Sequence, residues 1–420
     1  MKHILFPLCS LLVAAGLAAC SADDDLLADV DARQATVKSQ PVDSLFVEKD
    51  ETSKTLPTTL ALSAQSLYKL LSSPSLTTAH MLEMGETNIT DAQFAEIKAF
   101  VDANLKGSTQ KETHNNIFNW LVKNLTYTYD SSARLDPYDV FTEKRCVCQG
   151  YANLCKTMLI TQGIPAFCVN GQLGTVGAHA WVYALLDGEW TVSDPTNNQQ
   201  YAAKNYTKYK DKLQPERVDV VLFEDEQFTY GFQERRLCVS GVKKCDGPAL
   251  TVPYSVAGYV IPLFLPTSAI PSNITQIYFG SNIRTLGESE IPLRDVCPNV
   301  EEAFVAADNN ALSSTDGVVY KGKSTNNVLP YYIPASIHTL VLRPAATIEK
   351  NTVYYLDKVE EIVISAGTTT VEAYAIEQCP NLRRVYISES VTSLDDQAIY
   401  RCPDDVEIVR VPTSIHSVSM

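Results

Sequence analysis

The chain has 420 residues, more than one hydrophobic core usually organises, so two or three domains are expected. Apolar residues make up 45% of it, which is ordinary for globular proteins and argues against a mainly disordered chain. The formal net charge is −15 and no basic stripe occurs, which argues against nucleic acid as a partner because phosphate binding needs clustered Lys and Arg.

The first residues have the pattern of a secretory signal. A positive start at Lys2 precedes an apolar run from Ile4 to Ala19, which is short and ends in small residues. The ending Leu17-Ala18-Ala19-Cys20 resembles the lipobox of bacterial lipoproteins. This resemblance implies a signal peptide at residues 1–19, cleavage before Cys20, lipidation of that cysteine and a membrane anchor. Ordinary secretion with a chance cysteine is the alternative.

Residues 20–59 are predicted to be a lipidated N terminus and a flexible tether, because they are polar and sustain no apolar period. The sequence Ser21-Ala22-Asp23-Asp24-Asp25 is similar to the acidic export tag of surface lipoproteins of Bacteroidetes. That similarity implies an outer-membrane protein displayed at the cell surface. Three aspartates equally fit a solvated linker.

A helical period follows from about residue 60 to residue 124. Apolar residues at spacings of three and four predict two helices, one with Phe94, Ile97, Phe100, Val101 and Leu105, the other with Ile117, Trp120, Leu121 and Leu125. Asn88, Thr90 and Asp91 are candidate N-cap residues for the first helix. We expect both helices to lead into the domain that follows.

The segment from Arg145 to Ile160 carries the strongest chemical signal. Its amphipathic pattern predicts a helix, with Cys148 at or just before the N terminus. Free backbone N–H groups and the helix dipole at that point favour a thiolate, and the same N–H groups can bind an oxyanion. Cys148 is therefore the candidate nucleophile. The neighbouring Cys146 has no evident role, since a bridge between the two would be strained.

A reactive thiol needs a base, and His179 is the best placed of the six histidines. It lies in a segment whose alternation of apolar and small residues predicts a strand. Asp187-Gly188 then predicts a hairpin turn, which would place Asp194, at the end of the second strand, beside His179. A carboxylate there fixes the imidazole tautomer and stabilises the imidazolium. Taken singly, His179 would be interpreted as a packing residue and Asp194 as a turn-forming residue.

In chain order, Cys148 lies in VCQGYA, His179 in HAW and Asp194 in DPT, with GIPA and DGEW between them. From about His114 to Thr196 the chain resembles the transglutaminase-like superfamily, which shares the papain-type catalytic arrangement. The resemblance implies an α+β domain with a helical lead-in and an antiparallel sheet, which we assign to residues 60–264. It implies Cys148 as nucleophile, His179 as base and Asp194 as orienting residue, and no cofactor or metal is expected.

The implied reaction begins with attack of the Cys148 thiolate on an amide carbonyl of a protein or peptide, giving a thioester. Water as the acceptor would make the protein a peptidase or amidase, and a lysine amine would make it a transglutaminase. Hydrolysis is favoured, because a site open to water needs special exclusion to prefer amines.

A repeat of about two dozen residues fills the last third of the chain, residues 265–420. Val359-x-x-Ile362-x-Ile364 recurs 23 positions later as Leu382-x-x-Val385-x-Ile387, and this period is the signature of a solenoid. The segment Asn309–Tyr320 resembles the insertion found in BspA-type leucine-rich repeats. Cysteines in the repeats are expected to pack as small core residues, whereas Cys238 and Cys245 are spaced for a small disulfide loop.

Two hypotheses from different classes follow. The first is an enzyme presented on a repeat scaffold that binds a host or cell-surface protein. The second is a non-catalytic adhesion protein that keeps the transglutaminase-like fold as a structural module. Because the three site residues are all present, the sequence favours the first.

Overall fold

The computed structural model describes residues 62–84, 88–206, 213–287, 292–322 and 329–412. The predicted signal peptide at 1–19, the predicted lipidation site Cys20 and the predicted tether to residue 59 lie outside the described residues. In the part of the chain that is described, no helix is both long and apolar enough to span a membrane.

Five helices precede or carry the predicted nucleophile. They are α1 (Ala64–Leu71), α2 (Asp91–Asn104), α3 (Gln110–Asn124), α4 (Pro137–Glu143) and α5 (Cys148–Ile160), with a 3-10 turn at Ala79–Leu82. Helix α2 begins at a capping box in which the Thr90 side chain accepts the Gln93 N–H and the Gln93 side chain accepts the Thr90 N–H. Two short parallel strands, β1 (Thr126–Tyr127) and β2 (Arg145–Cys146), lie between these helices.

An antiparallel sheet of five strands packs against α5, in the spatial order β6-β5-β4-β3-β7. Its strands are β3 (Ala166–Leu173), β4 (Gly177–Leu186), β5 (Glu189–Asp194), β6 (Gln199–Ala202) and β7 (Leu213–Val218). Alternate residues of β3 and β4 enter two cores, because side chains of a strand point to opposite faces. Cys168 and Val182 pack with the helices, whereas Phe167 and Tyr183 pack with the strands that follow.

A second sheet lies across residue 264, the expected boundary between the domain and the repeats. It contains β8 (Phe223–Glu224), β9 (Phe228–Gln233), β10 (Arg236–Val242), β14 (Leu263–Phe264) and β16 (Thr285–Leu286). Strand β14 pairs in parallel with both β10 and β16. Beside it lie β11 (Ala249–Thr251), β12 (Ser255–Val256), β13 (Tyr259–Val260), β15 (Gln276–Phe279) and β17 (Glu302–Val305), with β11, β15 and β17 parallel to one another.

The insertion between repeats forms a short antiparallel sheet. Helix α6 (Leu293–Val296) precedes it, and its strands are β18 (Leu312–Thr315), β19 (Val318–Lys321) and β20 (Pro330–Tyr332). Asp316 and Gly317 both adopt positive φ in the turn between β18 and β19, the conformation that a tight hairpin turn requires.

Three parallel ladders build the C-terminal solenoid. The first joins β21 (Thr339–Leu342), β24 (Glu361–Ile364), β27 (Arg384–Ser388) and β30 (Glu407–Val411). The second joins β22 (Thr347–Ile348), β25 (Thr370–Val371) and β28 (Ser393–Leu394), and the third β23 (Val353–Tyr354), β26 (Ile376–Glu377) and β29 (Ile399–Tyr400). Glu361 pairs with Arg384, which pairs with Glu407, so each coil repeats the 23-residue period of the sequence. The predicted α+β domain followed by a solenoid is confirmed.

No disulfide is formed among the cysteines of the described residues. Cys155 and Cys168 are fully buried in the α+β domain, and Cys379 is fully buried in the repeats. Cys238 is buried in β10, and the Cys245 thiol donates to the Ala249 carbonyl oxygen. The small disulfide loop expected between Cys238 and Cys245 is therefore not formed.

Candidate active site

Cys148 is the first residue of α5, and its side chain is half-buried. The preceding Val147 is extended, and no side chain caps the helix, so the first backbone N–H groups are available to an anion near the sulfur. Gly150 lets the helix approach the chain beside it, because a Cβ there would lie 2.4 Å from the Cys146 Cβ and 2.5 Å from the Arg134 carbonyl oxygen. Cys146, which the sequence left without a role, is a fully buried packing residue of β2.

His179 projects from the start of β4 toward the end of β5. Its Nε2 donates to Asp194 Oδ2 at 2.8 Å, and both side chains are almost completely buried. The imidazole also stacks on Trp181, with ring centroids 6.0 Å apart and an angle of 22° between the planes. The turn at Asp187-Gly188, where both residues have positive φ, sets the pairing of the two strands. The imidazole is therefore fixed on one edge and one face.

Asn197 holds the carboxylate from the other side. Its Nδ2 donates to Asp194 Oδ2 at 2.8 Å and lies 3.2 Å from His179 Nε2, while its backbone N–H donates to Asp194 Oδ1 at 3.3 Å. Asn197 ends the 3-10 turn Pro195–Asn197, which begins directly after the aspartate. Both carboxylate oxygens thus have donors, and the aspartate has little freedom to rotate away from His179.

The third contact of the site joins Cys148 to His179. Burial opposes ionisation of the thiol, but hydrogen bonds from His179 and from the Ala180 N–H hold the pKa of Cys148 below its ordinary value. Burial likewise disfavours the imidazolium, but Asp194 and Cys148 outweigh it and raise the pKa of His179 to about 9. The two shifts have opposite directions, so the contact between these side chains moves the thiol and the imidazole toward their charged forms.

Two buried polar pairs support this arrangement from behind. Lys156, fully buried on α5, binds Asp219 Oδ2 at 2.8 Å and the Met84 carbonyl oxygen at 3.1 Å. His114 on α3 hydrogen-bonds the hydroxyl of Ser193, the residue before Asp194. Burial lowers the pKa of His114 to about 4, so this histidine is neutral near pH 7. One pair ties the nucleophile helix to the sheet, and the other ties α3 to the strand end that carries the aspartate.

The structure thus brings together Cys148, His179 and Asp194, the three residues that the sequence singled out in this domain. It adds Asn197, which could have been found from its position directly after the DPT segment. The roles of His114 and Lys156 had no sequence signal, because their partners are distant in the chain. Within the described residues, no group of three or more His, Cys, Asp or Glu side chains is arranged to hold a metal ion.

The chain matches models of two families. The model of the transglutaminase-like superfamily matches residues 99–195, which include Cys148, His179 and Asp194. The model of the BspA-type leucine-rich repeat region matches residues 344–420 in six copies. Both resemblances expected from the sequence are therefore confirmed, each for its own part of the chain.

Individual proteins also match part of the chain. The UPF0252 protein MJ1282 of Methanocaldococcus jannaschii is 25% identical over 139 residues. The match covers 29% of this chain and 40% of the length of this relative, so the chain spans less than half of it. Among solved structures, LapG of Legionella pneumophila is 16% identical, with coverage of 39% of this chain and 88% of that chain and a TM-score of 0.26.

Two further solved structures also match part of the chain. A Cytophaga hutchinsonii protein, described as a candidate cysteine protease, is 22% identical, with coverage of 26% of this chain and 41% of that chain and a TM-score of 0.23. A leucine-rich repeat protein from Bacteroides ovatus is 13% identical, with coverage of 44% and 61% and a TM-score of 0.24.

Proposed function

Since the chain carries a transglutaminase-like domain followed by BspA-type leucine-rich repeats, we propose that it is a cysteine enzyme acting on amide bonds of proteins or peptides. The observation that carries the proposal is the buried His179–Asp194 pair beside a half-buried Cys148 at a helix N terminus. A structural module would gain little from burying a charged pair next to a thiol, because buried ion pairs are costly to desolvate.

Each residue has one role in the proposed reaction. The Cys148 thiolate attacks the carbonyl carbon, and the backbone N–H at the start of α5 binds the developing oxyanion. His179 then gives its proton to the leaving amine, so that a thioester remains on Cys148. Asp194 stabilises the imidazolium and holds its orientation through the bond to Nε2. His179 next removes a proton from the acceptor that cleaves the thioester.

We favour water as the acceptor, and therefore a peptidase or amidase. Cys148 is half-buried rather than enclosed, and an acyl-enzyme that water can reach is hydrolysed unless the site excludes it. A crosslinking transglutaminase is the alternative for the same site. Incubation of a peptide substrate with an excess of a primary amine distinguishes them, since only the transferase converts most of the acyl group to a new amide.

A thiol-directed, amide-mimicking probe tests the site itself. Wild-type protein should form one covalent adduct at Cys148, and Cys148→Ala should form none. Cys245→Ala is the matched control, because it removes another partly exposed thiol without touching the domain's site. Labelling that persists in Cys148→Ala would refute the assignment of the nucleophile.

The pH dependence of alkylation tests the coupling of the thiol to the histidine. Because the His179 contact lowers the pKa of Cys148, the pH at which iodoacetamide reacts should rise in His179→Ala. It should rise less in Asp194→Asn, since that residue acts only through the imidazole. An unchanged titration in His179→Ala would mean that the two residues are not coupled, and the non-catalytic adhesion hypothesis would then be preferred.

The location and partner of the enzyme are part of the proposal. We propose that lipidated Cys20 anchors it in the outer membrane at the cell surface and that the repeats bind a host or cell-surface protein. Cys20→Ser should leave a soluble or unprocessed precursor, because one lipidated residue is the only attachment the proposal contains. A mutant that is processed yet still fractionates with membranes would refute the anchor.

A further inference from the structure

Two cysteines of the solenoid occupy the same position in successive coils. Cys379 and Cys402 are 23 positions apart, which is the period of the repeat. Before them β26 pairs with β29, and after them β27 pairs with β30, both in parallel and with the same offset. The register is therefore unchanged on both sides of the cysteines, so the two residues lie next to each other in adjacent coils.

Equivalent hydrogen bonds orient the two thiols. The Cys379 thiol donates to the Glu377 carbonyl oxygen at 3.6 Å, and the Cys402 thiol donates to the Tyr400 carbonyl oxygen at 3.5 Å. The Gln378 N–H donates to that same Tyr400 oxygen at 3.1 Å. One carbonyl oxygen thus contacts both the Cys402 sulfur and the residue before Cys379. Both cysteines also pack against the same hydrophobic core, so the two sulfurs lie on the same side of their coils.

The spacing of the coils suits a covalent bond between the thiols. Adjacent hydrogen-bonded strands lie about 4.8 Å apart, within the range of about 4.4–6.8 Å for the Cα atoms of a disulfide. Cys379 is fully buried, whereas Cys402 is partly exposed, so a reagent can reach one thiol of the pair. We propose that Cys379 and Cys402 are a disulfide-forming site, which joins the last two coils of the described solenoid when the protein meets a small-molecule disulfide. The site needs none of the residues of the acyl-transfer site.

The reaction is thiol–disulfide exchange in two steps. The Cys402 thiolate attacks one sulfur of the small disulfide, whose S–S bond breaks, and the released thiolate takes up a proton. Cys379 then loses its proton and attacks the Cys402 sulfur, which breaks the mixed disulfide and releases the second small thiol. The pair thus gives up two electrons and two protons, which reduce the small disulfide to two thiols.

The order of attack follows from exposure and acidity. Cys402 is the thiol that the reagent can reach. The hydrogen bond from the Cys379 thiol outweighs burial and lowers the pKa of Cys402 to about 7, whereas this contact and burial raise the pKa of Cys379. Cys402 is therefore the first to attack near neutral pH.

The bond would act at an end of the ladders. Strand β29 is the last strand of its ladder in the described part of the chain, so the coil that carries Cys402 has a neighbour on one side only there. Such coils open more readily than inner ones, because they have one interface instead of two. A disulfide closes the chain between the two cysteines into a loop and should slow local opening by on the order of 100-fold. The bond therefore clamps these two coils together.

Oxidised glutathione is the probe, and the treated full chain is compared with a sample kept in dithiothreitol. Peptide mapping by mass spectrometry should find Cys379 joined to Cys402, with the linked peptides lighter by two hydrogen atoms than the free pair. Hydrogen exchange at the amides of β26 and β29 should be slower by on the order of 100-fold in the oxidised protein. Exchange in α2 should be equal in both samples.

Two variants make the test specific. Cys402→Ser removes the accessible thiol, and it should abolish both the link and the slower exchange. Cys245→Ser is the matched control, because it removes another partly exposed thiol, which bonds to the Ala249 carbonyl oxygen outside these two coils. It should leave both results unchanged.

Three results would contradict the proposed disulfide. A glutathione adduct that persists on Cys402, or two thiols that stay free, would show that the sulfurs do not meet. A link without slower exchange would show that the bond does not clamp the coils. Each of these outcomes overturns the inference, and none bears on Cys148, so the proposed function is tested separately.

Discussion

The transglutaminase-like domain and the solenoid are each stabilised internally, by contacts that span different distances along the chain. In the transglutaminase-like domain, Lys156 meets Asp219 across 63 positions and the Trp190 side chain meets the Leu71 carbonyl oxygen across 119. In the solenoid, Ser365 meets the Leu342 carbonyl oxygen and Tyr374 meets Gln397, each across 23 positions. The site is thus assembled from distant segments, whereas each repeat is completed by the next one.

This difference predicts how far a substitution acts. A solenoid is stabilised approximately by the sum of its repeats and of the interfaces between neighbours. A domain built from distant contacts unfolds as one cooperative unit. Similar substitutions should therefore disturb the whole transglutaminase-like domain but only a few coils of the repeats.

The largest effect is expected from two cysteines of the same size. Cys148→Ala should abolish thioester formation, because no other group can replace the nucleophile. Cys379→Ala, in the core of the repeats, should leave the acylation rate unchanged and lower stability by about 1 kcal/mol. Rates of probe labelling and urea unfolding measure the two effects. Loss of acylation in Cys379→Ala would contradict the independence of the two regions.

The buried ion pair of the transglutaminase-like domain should give the next largest effect. Lys156→Met leaves Asp219 without its buried partner. Breaking a buried ion pair in this way lowers the free energy of unfolding by about 3–5 kcal/mol. Urea unfolding followed by tryptophan fluorescence measures the loss. Lys204→Met, which removes an exposed pair with Glu189, is the control and should be neutral. A Lys156→Met protein as stable as the wild type would mean that the pair does not tie the nucleophile helix to the sheet.

A core substitution in the repeats tests the limited reach directly. Ile362 is fully buried in β24. Ile362→Ala should therefore lower the free energy of local unfolding by about 2–4 kcal/mol. Hydrogen exchange should accelerate in β24 and in its neighbours β21 and β27, with β3–β5 unchanged. Faster hydrogen exchange in β3–β5 would show that the two regions unfold together.

The smallest expected effect is a dependence of stability on pH. The folded pKa of His114, about 4, lies below the ordinary value of 6.5, so the unfolded chain binds more protons between these values. Stability should therefore fall by about 1–3 kcal/mol as pH drops from 6.5 to 4, and this contribution should be constant above 6.5. The His114→Gln protein should lack this loss of stability between pH 6.5 and 4. Equal pH profiles of unfolding for both proteins would exclude a buried neutral histidine.

Much of the fold could be predicted because its signals are local. The spacing of apolar residues marked α2 and α3, Asp187-Gly188 marked the β4–β5 hairpin, and the 23-residue recurrence marked the solenoid. Cys148 and His179 were identifiable because chemistry needs those residue types at a helix start and on a neighbouring strand. Their catalytic roles remain proposals.

What the sequence could not provide are contacts that depend on tertiary packing. The buried pair of Lys156 and Asp219 has no pattern in either segment, because each residue alone resembles an ordinary surface charge. The disulfide expected between Cys238 and Cys245 was wrong because β10 directs Cys238 into the core while Cys245 bonds to a nearby carbonyl oxygen.

The equal spacing of the three solenoid ladders has a consequence for how such a chain can change in length. A deletion or duplication of one complete coil would remove or add one strand in each ladder and leave every remaining pair in register. The same change within β3–β7 would destroy the pairing that places His179 against Asp194. Genetic variation in repeat number can therefore alter the length of the solenoid while the strand pairing that places His179 against Asp194 is inherited unchanged.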